Sequence, residues 1–312
     1  MRPGSLAVAT HLRGLALTLP WLLYLFVADV VLSLLLPLRL LAPRSVYDAS
    51  SRIAASVWAW IQLIFVRFNG ADIVCSGDSL PAGESAVVVA NHVAWSDFYM
   101  IQALAQRAHM LGRCRYFAKL QLRIVPFLGW GLWAMGMPMV SRNWLKDKVE
   151  LDHVFSHIVH GGYPTWLISF SEATRFTRKK YQESQAWCKK MDRPQPMHLL
   201  YPRTKGFVTT VQRLRKAPHV KAVYDFTIAY QQNGIFQAAP SIWQTLSVPS
   251  LSDRWGFKFH VHVRRFAIES LPDTDEGLAK WLEQRWVEKG EWLEAERQNW
   301  LSTNQLIGMR HR

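Results

Sequence analysis

Apolar residues are concentrated at the start of the chain and then thin into short runs. Residues 15–38 form an apolar run whose one charge is Asp29, long enough to cross a hydrocarbon core of about 30 Å. A second run, residues 53–68, contains Trp58, Trp60 and Gln62 and closes on Arg67, which makes it short and interface-like. Beyond it, strand-like stretches at 86–90, 116–119, 138–141, 165–170, 220–230 and 259–266 alternate with helix-like ones at 98–106 and 145–160. That rhythm predicts an α/β sandwich. Residues 182–197, polar and holding two prolines, read as a loop, and 274–301 as a charged helix whose Trp281, Trp286, Trp292 and Trp300 pack on the domain.

The two apolar runs predict a helical hairpin in or on one leaflet. Asp29 and Pro20 argue against a plain lipid-exposed span, since a carboxylate in the membrane needs a partner or water. A single tilted span with Asp29 neutralised is the alternative. A signal peptide fits less well, because its apolar core is shorter and no small-residue cleavage site precedes Arg39 and Arg44. Three segments follow: an anchoring hairpin (1–70), a catalytic domain (71–270) and a C-terminal amphipathic helix with tail (271–312).

Composition supports a membrane setting. Of 312 residues 50% are hydrophobic, with 15 Trp and 15 Phe, and 37 Lys plus Arg against 23 Asp plus Glu leave a formal charge of +14. Without a recognised nucleic-acid motif, that charge points to anionic membrane lipid rather than nucleic acid. Cys75, Cys114 and Cys188 are far apart and suit reduced thiols in a cytosol-like compartment. His260 and His262 lack acidic or cysteine partners at ligand spacing, so no metal is expected. No Gly-x-Ser-x-Gly elbow, phosphate-binding Gly-Lys-Ser/Thr loop or complete dinucleotide glycine pattern occurs, which sets aside serine hydrolases, nucleotidases and dehydrogenases.

The chemistry begins at Asn91-His92-Val93-Ala94-Trp95-Ser96-Asp97, directly after the run 86–90. An imidazole and a carboxylate thus stand together at a strand's C-terminal end, where α/β proteins build sites. An aspartate on one ring nitrogen fixes the tautomer and leaves the other free to take a proton from a bound hydroxyl. The same residues also suit a plain turn, with Asp97 capping the helix that begins at Phe98.

Three more blocks follow: Gly136-Met137-Pro138-Met139-Val140-Ser141-Arg142, Phe170-Ser171-Glu172-Ala173-Thr174-Arg175, and Tyr201-Pro202-Arg203-Thr204-Lys205-Gly206-Phe207. Together the four resemble the glycerolipid and lysophospholipid acyltransferase family across residues 85–230, nearest to the lysophosphatidic acid (1-acylglycerol-3-phosphate) acyltransferases. The resemblance implies a mixed-sheet α/β sandwich with a helical membrane anchor. It implies no bound cofactor, with acyl-CoA as co-substrate and a lysophospholipid hydroxyl as acceptor. Lysophosphatidate comes first among acceptors, and lysophosphatidylinositol and lysocardiolipin stay open.

In that reading His92 is the base and Asp97 orients it. Asn91, Arg142, Glu172, Thr174, Arg175, Pro202, Arg203 and Lys205 are the expected substrate-binding residues. Arg142 and Arg175 suit the acceptor phosphate as bidentate guanidinium forks, unless spent in salt bridges. Glu172 is implied near the glycerol-phosphate subsite or in a structural hydrogen bond, and Arg203 and Lys205 either at coenzyme A phosphates or beside the acceptor. The chain departs from type at Pro138 and at Ala173, where the family commonly has Ile and Gly; a positive φ at 173 bears on the placement of Arg175. A non-catalytic membrane scaffold is the alternative from another class, opposed by the presence of both His92 and Asp97. The expected location is the endoplasmic reticulum membrane, or the inner membrane of a bacterium, with the site facing the cytosol.

Overall fold

The computed structural model describes residues 3–141 and 144–310, with side chains over 8–141 and 151–303. The chain opens with α1 (Pro3–Leu35) and α2 (Pro43–Leu63), then β1 (Ile73–Gly77), β2 (Ser85–Ala90) and α3 (Asp97–Arg107). Next come β3 (Cys114–Tyr116), β4 (Ala118–Lys119), α4 (Leu128–Ala134), β5 (Met139–Val140), α5 (Trp144–Gly161) and β6 (Trp166–Phe170). The last third holds α6 (Arg178–Lys190), α7 (Thr204–Leu214), β7 (Val220–Gln232), β8 (Ile235–Phe236), α8 (Ile242–Ser247), β9 (Phe257–Ala267) and α9 (Asp275–Arg310).

The main sheet has the order β1-β9-β7-β2-β6-β3, with β8 on β7. β7, β2, β6 and β3 are parallel, and β9 runs antiparallel to β7, so the sheet is mixed. β4 and β5 form a separate parallel pair. Both faces are covered, as strands buried on two sides require. Ala86, Val88 and Ala90 of β2 face a core built with α2 and α3; Val87 and Val89 face one built with α5, α7 and α9. The expected α/β sandwich is therefore present in three layers.

α1 lies along the domain like a strap. Near its start Arg13 donates to Asn69 Oδ1 at 2.7 Å, to the Ser247 carbonyl at 2.9 Å and to that of Phe68 at 2.6 Å. Midway, Trp21 Nε1 donates to Val57 O at 3.2 Å. Further along, the buried Asp29 carboxylate sits against Gly131 of α4, where any Cβ would collide with it. Its outward face keeps Leu12, Leu15, Leu19, Leu22, Leu23, Phe26 and Leu34 exposed. Two segments are long and apolar enough to cross a membrane: Val8–Leu35 within α1, and Pro43–Phe68, formed by α2 and the helical turn that follows it.

Two sequence expectations need correcting. Residues 178–190, partly expected as loop, form α6, capped by the Thr177 hydroxyl accepting from Lys180 N–H at 3.3 Å. The helix buries only Cys188, so it shows no apolar period, and the prolines at 194 and 196 fall beyond its end. The run 53–68 is also more than an interface segment: α2 starts ten residues earlier, at Pro43, and carries Ile61, Ile64 and Phe65 into the main core. There Phe65 stacks on Tyr99 at 4.5 Å and meets Phe259 edge-on at 5.3 Å.

Candidate active site

The C-terminal ends of β2 and β6 gather the first and third blocks. Past Ala90, Asn91 is fully buried and spends both ends of its amide on one residue of β7: Nδ2 donates to Ile228 O at 2.9 Å and Oδ1 accepts from Ile228 N at 2.8 Å. Its geometry is that of a strand tie, not of a group facing a ligand. His92 follows, its ring stacked on Phe170 at 4.0 Å.

Asp97, also fully buried, receives four hydrogen bonds. Oδ2 accepts from His92 Nδ1 at 2.7 Å and from the Val93 and Ala94 amides at 2.7 and 3.1 Å, while Oδ1 accepts from the Tyr230 hydroxyl at 2.7 Å. The amides and the hydroxyl mark it as an acceptor throughout, so Nδ1 carries a proton, and in the neutral imidazole Nε2 is the nitrogen with the lone pair. α3 begins at Asp97, but the carboxylate serves the turn before the helix instead of capping its N-terminus. The His92 side chain is 14% exposed, so the base position is open at one edge.

The third block is tied to the first, with Phe176 N donating to His92 O at 2.7 Å. Glu172 is buried; its Oε1 accepts from Trp286 Nε1 at 3.3 Å and its Oε2 has no hydrogen-bond partner. Burial, joined by the charge of Asp97, holds its carboxyl well above the usual range, against the opposing pull of Trp286 and Lys289. Ala173 stands at φ +57°, the left-handed conformation that glycine adopts without strain. Lys180 Nζ braces the loop, donating to the Thr174 hydroxyl and, at 3.4 Å, to Arg175 O.

The fourth block docks through Arg203 N, which donates to Ser171 O at 2.7 Å. Glu172, Thr174, Pro202, Arg203 and Lys205 then line one groove of about 750 Å3. Arg175 is exposed, and both it and the half-buried His92 lie outside the lining of this groove. Arg142 lies outside the described residues.

Sequence reasoning missed the supports. Tyr230 and Phe170 sit at the ends of expected strands, and nothing local marks them as partners of the His–Asp pair. Trp286 and Lys289 come from α9, with partners 114 and 63 residues away. Lys289, fully buried, pairs with the equally buried Asp225 and donates to Phe226 O at 2.5 Å, and Arg264 closes on the same carboxylate at 2.6 Å. His260 and His262 share Ser76 Oγ at 2.7 and 3.0 Å, tying β9 to β1.

Known proteins resemble this chain in sequence and in fold. The sequence pattern of the acyltransferase family matches residues 72–231, and that of the acyltransferase C-terminus matches 254–298. The chain is 29% identical over 260 residues to 1-acyl-sn-glycerol-3-phosphate acyltransferase 3 of Arabidopsis thaliana, covering 80% of this chain and 65% of that one. It is 30% identical over 247 residues to lysocardiolipin acyltransferase 1 of Mus musculus, covering 78% and 62%. It thus spans under two thirds of the length of these relatives. The crystal structure of the 1-acyl-sn-glycerophosphate (LPA) acyltransferase PlsC from Thermotoga maritima superposes with a TM-score of 0.50 at 17% identity, covering 92% of this chain and 98% of that one. The family pattern, matched across half the chain over a stretch that includes His92 and Asp97, shows that this chain belongs to the acyltransferase family.

Proposed function

We propose that the protein transfers the acyl group of acyl-CoA to the free hydroxyl of a lysophospholipid, lysophosphatidate first, and that it works from the surface of a membrane. The observation that carries this reading is the His92–Asp97 pair, with Nδ1 donating to Asp97, Nε2 turned away from it, and no side-chain nucleophile hydrogen-bonded to the ring among the described residues. Nε2 takes the acceptor hydroxyl's proton while the oxygen attacks the thioester carbonyl. Collapse of the tetrahedral adduct breaks the C–S bond, and the imidazolium returns the proton to the leaving thiolate. The products are an ester and free coenzyme A. Asp97 stabilises the imidazolium without taking its proton.

Arg203 and Lys205, exposed along the groove, suit an anionic ligand: the phosphates of coenzyme A or the acceptor phosphate. The names of the relatives support lysocardiolipin as a second acceptor. The strapped α1 supports in-plane attachment over a single crossing. We place the protein on the endoplasmic reticulum, or on a bacterial inner membrane, with the site toward the cytosol.

The test is thiol release from oleoyl-CoA by detergent-purified protein with each lysophospholipid in turn. His92→Ala should lower acceptor-dependent release by about 10²–10⁴-fold. Release that ignores the substitution, or no release with any acceptor from folded protein, overturns the reading.

A further inference from the structure

Opposite the catalytic end of the sheet lies a second cavity. Tyr163 and Thr165 stand at the entry to β6, and Glu172 follows its exit, about 20 Å away at an extended rise of ~3.3 Å per residue. Around that entry a small pocket beneath Met135 and Met137 opens into a groove of about 720 Å3 beside the hairpin turn; both are bordered by Arg39, Trp133, His153, His157 and Tyr163.

The lining is cationic and no described carboxylate enters it. Arg115 is 2% exposed; its Nη1 donates to Gly112 O at 2.9 Å and Cys114 O at 3.0 Å, its Nη2 to Ser51 Oγ at 3.1 Å, and its Nε finds no partner. No acid among the described residues pairs with it. Its charge also bears on Arg39, so two guanidinium groups repel each other across the cavity. α5 adds His153 and His157, stacked at 5.1 Å one turn apart, with His160 beyond them. Asp152, their sequence neighbour, is engaged with Arg213 at 2.9 Å. A buried charge without its counter-ion is costly, and an anion removes that cost.

The rim differs in character. Leu36 and Leu40 border the groove, and the turn exposes Leu38, Leu40 and Leu41 at 48, 90 and 84%. A cationic floor with an apolar rim complements a phosphate that carries hydrocarbon, whereas inorganic phosphate leaves the rim unused.

We propose that this groove is a second anionic-phospholipid site, separate from the transfer site, which seats a lipid phosphate between Arg39 and the α5 histidines with its acyl chains along the hairpin turn.

Photolabelling tests it. The full chain is reconstituted in phosphatidylcholine vesicles with a trace of phosphatidic acid bearing a diazirine near the head of one acyl chain, irradiated, and its adducts mapped. Adducts are expected within residues 133–137 and 153–163, falling about ten-fold in Arg39→Gln, with loss of a charged phosphate contact, and falling in His153→Gln/His157→Gln, with loss of imidazole hydrogen bonds to the phosphate. His153 and His157 are exposed and Arg39 is half-buried, and melting curves matching the unsubstituted protein certify the variants. Unlabelled phosphatidic acid should protect and inorganic phosphate should not. Equal protection by phosphate, adducts only around Glu172 or spread along α1, or labelling that falls with Arg203→Gln and not with Arg39→Gln, overturns the proposal.

Discussion

Ala173 adopts a backbone conformation that disfavours an L-residue, and it does so between the two groups that most concern the site. Its methyl costs about 1–2 kcal/mol in the left-handed region; glycine relieves that at a smaller entropic cost. Ala173→Gly should therefore raise stability by roughly 1 kcal/mol, read as an increase in Tm. Glu172 titrates the other way from an ordinary surface acid. Burial raises its folded pKa above the unfolded value, so the folded form binds the proton more tightly and the stability it contributes is lost as pH climbs above the usual carboxyl range. Glu172→Gln should flatten that alkaline decline, and melting across pH measures it. At this scale His92 and Asp97 were legible because they are neighbours in sequence. Asn91 was legible as important but its partner was not, since Ile228 lies 137 residues on.

Among elements, α9 departs furthest from its outward sequence character. It reads as a charged amphipathic helix, yet it delivers Trp286 to Glu172 and a fully buried Lys289 to Asp225. Removing one member of that pair leaves the other charge uncompensated, so Lys289→Met should cost about 3–5 kcal/mol. The double change Lys289→Met with Asp225→Leu should recover part of the loss, and a double-mutant cycle by denaturant unfolding gives the coupling directly. The strands were legible from runs such as Val87–Val88–Val89, whose unbroken apolarity reflects burial on both faces. α6 was not legible, because a helix that buries one cysteine shows no periodicity to read.

For the molecule as a whole, the expected boundary at residue 70 cuts through a shared core. α2 runs into a π-helical turn at Ile64–Phe68, and Phe65 is wedged between Tyr99 and Phe259. A truncation beginning at residue 71 should lose the main core's Ile61, Ile64 and Phe65 and fail to yield a monodisperse folded domain by size exclusion and circular dichroism. Hydropathy marks residues 1–70 as an anchoring hairpin, and it reports that a run is apolar, not whether lipid or protein covers it. The strap carries a kinetic corollary. On the proposed function, an α1 bound along the domain from Arg13 to Asp29 would confine the protein to the plane of the membrane, where a lysolipid would be met by lateral diffusion in two dimensions. Its turnover should then follow the acceptor's mole fraction in the surface: adding inert lipid at constant total acceptor should slow the reaction, although the bulk concentration has not changed.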